Sequence, residues 1–177
     1  MVVYISHSRQ NGSAALRLSE ALEGRLVKTW LDLRQPFTGA DWNAQIVEAI
    51  HKADAFVFLI GPPGPNDSLQ QLEWQQVVEE EYYLDSDKAL IPVLIGPAEI
   101  PGFLSSRKQI AVDASSIDFE AIATTIAAWI AQPGDTIDPD RLERGRQARD
   151  LALKNLREYS LELEQEDAKR AGLRGLK

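Results

Sequence analysis

The chain has 177 residues, a formal net charge of −8 and a 44% apolar share, which suits one ordinary domain with an appendage. The acidic balance argues against non-specific binding to nucleic acid or anionic membrane, which needs clustered Lys and Arg. With no cysteine, disulfides, thiolate catalysis and cysteine-ligated zinc are excluded, in accord with a reducing compartment.

The opening Met1-Val2-Val3-Tyr4-Ile5-Ser6 lacks a basic stretch, and its apolar run is too short for a signal peptide. No run reaches the roughly 18 to 20 apolar residues that span a bilayer. The expectation is a soluble, cytoplasmic protein. Charge divides the chain. Residues 138–177 hold 10 Lys/Arg and 9 Asp/Glu, which leaves 9 of the 19 basic and 18 of the 27 acidic residues for positions 1–137. That shift, with Pro133-Gly134 and Asp138-Pro139, predicts a globular domain over 1–135 and a helical extension over 136–177.

Val2–Ser6 reads as a buried strand. Asn11-Gly12-Ser13 is turn and cap chemistry, Ala15, Leu18 and Leu22 recur at helical spacing, and Gly24 is placed to end that helix. Leu26–Leu31 reads as a second strand. A loop over 32–41 holds Pro36, Phe37 and Gly39. Asp41 can cap a helix whose apolar face is Trp42, Ile46, Ala49, Ile50 and Ala53. Ala55–Ile60 is apolar throughout, as in a central parallel strand.

Gly61–Asp67 is too rich in Gly and Pro for regular structure. Ser68 with Gln71 forms a capping-box pattern, opening a helix to about Leu84. Ala89–Ile95 is a fourth strand, in which Pro92 predicts a bulge or an edge position. Gln109–Val112 is a short fifth strand. Ile117, Ile122, Ile126, Trp129 and Ile130 mark a last helix before Pro133. Strands alternating with helices predict an α/β fold: a flavodoxin-like five-stranded parallel sheet with helices on both faces. In the tail, Ala152, Leu156, Tyr159 and Leu163 form a short heptad-like seam, consistent with packing on the domain itself or with a coiled coil.

The chemistry-bearing candidates gather after the strands. Glu73 stands on the first turns of the helix that follows the third strand, near the edge where ligands bind in such sheets. Ser6, His7, Ser8 and Arg9 close the first strand, where hydroxyls and a guanidinium can meet phosphate or ribose. His51, near a helix end, reads as a surface residue. No metal-ligand spacing is present, and Gly12 belongs to neither a dinucleotide fingerprint nor a Walker loop. Trp30, Trp42 and Trp74 read as packing residues.

Taken in order, these segments resemble a Toll/interleukin-1 receptor (TIR) domain, and in particular its bacterial, enzymatic branch. Val3-Tyr4-Ile5-Ser6-His7-Ser8-Arg9 is similar to the family's first-strand motif, Trp30-Leu31-Asp32 to the end of its second strand, and Phe37-Thr38-Gly39 with Trp42 to the BB loop and the helix beyond. Ala53-Asp54-Ala55 into Ile60 is similar to the third strand, Ser68–Glu73 to the catalytic-helix motif, and Ile91-Pro92-Val93 to the fourth strand. The resemblance spans about residues 1–131. It departs from the family at His7, usually tyrosine, at Ser8, usually basic, and at Leu69, often aromatic.

The resemblance implies an NAD glycohydrolase that cleaves the nicotinamide–ribose bond, with or without cyclisation of the ADP-ribose, in prokaryotic immune signalling or toxicity. NAD is then the substrate, and no cofactor or metal is required. It implies a catalytic role for Glu73 at the ribose and substrate contacts from Ser6, His7, Ser8, Arg9, Trp30, Phe37 and Leu69. It also implies assembly into a homo-oligomer or filament through a BB loop containing Asp32, Pro36, Phe37 and Gly39. The C-terminal helix lies outside the resemblance and is expected either to promote that assembly or to join the domain to a partner protein. Two other readings stand beside it: a non-enzymatic TIR–TIR adaptor module, and a nucleoside deoxyribosyltransferase-like enzyme.

Overall fold

The computed structural model describes residues 1–35, 42–62, 68–79, 88–101, 104, 107–132 and four isolated tail positions, 147, 150, 151 and 154. Among these, five strands alternate with four helices: β1 (Val2–His7), α1 (Gly12–Glu23), β2 (Lys28–Trp30), α2 (Trp42–Lys52), β3 (Ala55–Ile60), α3 (Ser68–Glu79), β4 (Ala89–Ile95), β5 (Ile110–Val112) and α4 (Phe119–Ala131). Short 3-10 turns follow β1 at Arg9–Asn11 and β2 at Asp32–Arg34. The sheet is parallel throughout in the order β2-β1-β3-β4-β5, as the alternating elements predict. The order reverses between β1 and β3, the position at which sheets of this kind bind ligands beyond the carboxyl ends of their strands.

Strand periodicity sorts the core into two layers. Val3, Ile5, Ala55, Val57, Leu59, Ile91, Val93 and Ile95 face α1 and α4 in a mainly aliphatic layer. Tyr4, Phe56 and Phe58 face α2 and α3, where Trp74 joins them and Trp30 and Trp42 pack alongside. The aromatic rings interlock there. Tyr4 stacks on Trp30 with centroids 4.6 Å apart and planes 11° from parallel, and Phe58 meets Trp74 edge-on at 5.8 Å. The α2/α3 face is therefore both dry and stiff.

Three local expectations need correction. Pro92 marks neither an edge nor a bulge. Strand β4 lies inside the sheet, and its ladder with β3 runs unbroken through the Phe58–Pro92 pair. The β5 ladder begins only at Val93, so the missing N–H of Pro92 takes nothing from it. Strand β2 is shorter than predicted, because residues 24–27 end α1 rather than open the strand. The helix terminates in a Schellman motif: Val27 N–H donates to the Leu22 carbonyl at 3.1 Å and Leu26 N–H to the Glu23 carbonyl at 2.9 Å, with Val27 packed against the cluster that holds Leu22. The left-handed position of that motif is Leu26 (φ +62°), not Gly24, whose φ of −58° is right-handed.

Asp118 caps α4 by accepting Ala121 N–H at 3.0 Å, a cap that the apolar spacing alone did not reveal. The BB-loop positions Pro36, Phe37 and Gly39, and nearly all of the C-terminal extension, lie outside the described residues. No helix among the described residues is long and apolar enough to cross a membrane.

Leu26 is 95% exposed, so its side chain contributes no burial to offset the left-handed backbone, which costs a non-glycine residue about 1 kcal/mol or more. The chain uses glycine for the same conformation at Gly96 (φ +65°). Leu26→Gly is therefore expected to raise Tm by ~2–4 °C, read by calorimetry, while Gly96→Ala lowers it.

Candidate functional site

Helix α3 buries Gln70, Glu73, Trp74 and Val77. Their spacing of i, i+3, i+4 and i+7 is that of a core-facing stripe, yet two of the four are polar. Gln70 Nε2 donates to the Leu59 carbonyl at 3.3 Å, pinning the helix to the end of β3. Glu73, one turn on, is 4% exposed and reaches across to β1. Tyr4 Oη donates to Glu73 Oε1 at 2.6 Å and Ser6 Oγ donates to Oε2 at 2.5 Å. Trp74 Nε1 donates to Ser6 Oγ at 3.2 Å, which orients that hydroxyl to pass its own proton toward the carboxylate. Tyr4 and Ser6 reach the same group because they are two residues apart on one strand and so share a face.

Electrostatics follow from the aromatic layer. Burial is the largest influence on Glu73 and disfavours its charge. The Ser6 and Tyr4 hydroxyls pull the other way, with smaller effects from Asp32 (raising) and His7 (lowering), and the pKa settles at about 7. The Tyr4 phenol is pushed well above its ordinary value, first by burial and then by the facing carboxylate, so it remains a donor. Near neutral pH the pocket thus holds a carboxyl group poised between its two protonation states.

A second polar contact adjoins the first. His7, next along β1, turns to the opposite face of the strand. Its Nε2 lies 2.8 Å from Asp32 Oδ1 and its Nδ1 2.7 Å from the Ser8 carbonyl. Asp32 opens the turn after β2 and also accepts Leu33 N–H at 2.7 Å. Ser8 Oγ accepts from Asn11 Nδ2 at 3.1 Å.

The structure thus gathers Glu73, Ser6 and His7 at the end of β1, with Ser8 at its rim. Arg9 sits exposed in the 3-10 turn beyond. Trp30 is half-buried and has one ring face against Tyr4. Asp32, expected as an assembly residue, touches His7. Leu69 is in the first turn of α3, its side chain outside the described residues. Tyr4 and Trp74 join the site although Trp74 was read as packing alone and Tyr4 was given no role. The signal for Tyr4 was its i, i+2 relation to Ser6 on a strand.

Residues 3–132 match the TIR domain family. The chain belongs to the TIR family. No curated protein matches the sequence. Among solved structures, the chain is similar to the TIR domain of the Toll-related receptor TRR-2 from Hydra magnipapillata, at 19% identity over 73% of this chain and 97% of that one, with a TM-score of 0.57. It is also similar to a metazoan TIR-STING receptor from C. gigas, solved in complex with 2′,3′-cGAMP, at 19% identity and a TM-score of 0.54 over 70% of this chain. The match takes in only 38% of that receptor. A CMP N-glycosidase from Clostridium botulinum matches at 14% identity over 72% of this chain and 99% of that one, but its TM-score of 0.46 is too low to carry an argument. At these identities the likeness shows the fold.

The raised pKa of Glu73 has a consequence for stability. An acid whose folded pKa exceeds its unfolded value binds its proton more tightly when folded. Its contribution is fully present below the ordinary value of 4.5, is lost between there and about 7, and stays constant above. The loss is about 3 kcal/mol. In thermal melts from pH 4 to 8, Glu73→Gln is expected to overtake the wild-type TIR domain as pH rises through that window. A constant difference in Tm across the range contradicts this.

Proposed function

We propose that this TIR domain is an NAD glycohydrolase in which Glu73 stabilises the ribosyl cation left when nicotinamide departs. One observation carries the reading. An ionisable carboxyl group is kept in an aromatic layer, at a cost to stability near neutral pH, beside the strand at which the sheet order reverses. The chemistry suits what is there. As the bond from ribose C1′ to the pyridinium nitrogen breaks, its electron pair leaves with nicotinamide and positive charge develops on the sugar. A carboxylate in a dry site interacts with that charge far more strongly than it would in water. Water then adds to C1′ and gives up a proton. Alternatively, an internal nucleophile of the ADP-ribose closes a ring.

Each carboxylate oxygen can accept two hydrogen bonds, so a ribose hydroxyl would join or displace Tyr4 or Ser6 at one of them. Ser8 and Arg9 at the rim provide groups for the phosphates or the second ribose. Assembly through the segment after β2, with Phe37 at its centre, would complete the site in a homo-oligomer, and the extension beyond residue 135 would serve a partner protein.

The rival reading is a TIR–TIR interaction module. It is favoured by the same two hydrogen bonds, which leave each carboxylate oxygen already occupied by a donor from the chain itself. Chromatography of nicotinamide release from labelled NAD, at high protein concentration, decides between them. The glycohydrolase reading expects turnover that rises with pH to a plateau above about 7, following the Glu73 ionisation, and that falls ~10²-fold or more in Glu73→Ala. It also expects NAD to raise Tm as ligand excess grows. Turnover that survives Glu73→Ala removes the role assigned to this residue. An absence of turnover, with partner binding abolished by Phe37→Ala, supports the module.

A further inference from the structure

A neutral imidazole carries one N–H and one lone pair. Both ring nitrogens of His7 face acceptors, the Ser8 carbonyl at 2.7 Å and Asp32 Oδ1 at 2.8 Å. Neither neutral tautomer satisfies that pattern, because one ring lone pair would point at an oxygen. Water cannot intervene, since the His7 side chain is only 3% exposed. Asp32 Oδ1 also accepts Leu33 N–H at 2.7 Å, so one oxygen answers donors from the ring and from the turn.

We infer that His7 is a positioning residue held as an imidazolium, whose two N–H bonds clamp the turn after β2 to the end of β1. The groups around the ring leave it this role. Asp32 faces it from the turn after β2, and Glu73 acts on it from α3. From α1 the neighbour is Gly12, where an added Cβ would stand 3.9 Å from Cε1. The register partner on β3 is the apolar Leu59. Among the described residues, the charges that act on the ring, Asp32 and Glu73, are both acids.

Burial alone would discharge the imidazole. The Asp32 hydrogen bond, the Ser8 carbonyl and the Asp32 and Glu73 charges outweigh it, and the pKa moves up from its ordinary value. Reciprocally, the His7 charge works to lower the Glu73 pKa. His7 thus ties the start of the segment that follows β2 to the end of β1, and its charge favours the ionised form of Glu73. The clamp works at mildly acidic to neutral pH. It weakens as pH rises through the elevated His7 pKa, because loss of the Nε2 proton puts a lone pair against Asp32.

This inference deepens the proposed function and relies on it only for the meaning of the Glu73 charge, so its test needs no turnover. Long-range proton–nitrogen spectra of the full chain, titrated from pH 5 to 9, report both nitrogens of each histidine. His7 should keep imidazolium shifts on both nitrogens to a pH above the ordinary histidine value. A neutral tautomer at His7 at or below pH 6 overturns the inference.

Asp32→Asn should lower the His7 midpoint by about one pH unit or more, a tenfold loss of proton affinity. Carbon-13 shifts of the Glu73 carboxyl should show its midpoint moving upward in His7→Gln. An unmoved Glu73 midpoint in a folded His7→Gln variant reduces His7 to a purely structural group. If these shifts behave as expected while nicotinamide is never released, the clamp stands and the glycohydrolase reading falls.

Discussion

A carboxyl group among aromatic rings sets the terms for the rest of this domain. Glu73 projects from α3 beside an aromatic cluster of Tyr4, Phe58 and Trp74, and two hydroxyls answer its polarity, those of Tyr4 and of Ser6, the latter itself bonded by the Trp74 indole. A buried polar group is tolerated when its partners are satisfied, and these are. A buried charge is a different matter. An apolar residue of similar volume at this position would pack against the same rings without the ionisation penalty. Such a residue would leave the buried Tyr4 and Ser6 hydroxyls without the acceptor they now share. Glutamate thus satisfies two buried donors at the cost of a raised pKa, and perturbed acids of this kind concentrate where binding or chemistry needs them.

Strand parity makes the arrangement possible. Along β1 the odd positions Val3 and Ile5 supply the aliphatic layer, while Tyr4 and Ser6 present two hydroxyls to α3. His7 then turns back to the first face and meets Asp32. A shift of one residue in the β1 register would move the hydroxyls into the aliphatic layer and strand the carboxylate. The register is secured on both sides, by Tyr4 beside Trp30 on β2 and beside Phe56 on β3. The aromatic stack on Tyr4 thus aligns the strand and aims its phenol at the same time.

How far the sequence could be read follows from how local each feature is. Strands β3 and β4 declared both ends, since each is an unbroken apolar run between turn signals. The end of α1 was misjudged because glycine is the usual left-handed terminator, and here leucine holds that place two residues later. Proline in β4 misled because its cost depends on where β5 begins pairing, which the strand's own residues do not encode. The position of Glu73 on α3 was legible from the capping pattern. Its burial was also open to inference, because Gln70, Glu73, Trp74 and Val77 share one helical stripe. Its partners were not, since Tyr4 and Ser6 lie 69 and 67 residues away. The same holds for His7 and Asp32, separated by 25. Ser6, His7 and Asp32 each stand at the carboxyl edge of the sheet in the sequence reading while Tyr4 does not, and only the register shows who meets whom.

The two polar contacts pull on pH in the same direction. Glu73 and His7 both bind protons more tightly in the folded domain than outside it, one because burial disfavours an anion and the other because acids surround a cation. Folding therefore takes up protons near neutrality, and the domain is most stable on the acidic side of the range in which a carboxylate at position 73 exists. Stability and ionisation compete at one site. Whatever places positive charge beside Glu73 eases both demands at once, since it lowers the cost of the anion without dismantling the aromatic layer. A sugar that becomes cationic only at the top of a reaction barrier does so at the moment when the rate is set. A ligand of that kind turns the destabilisation of the resting carboxylate into preference for the transition state.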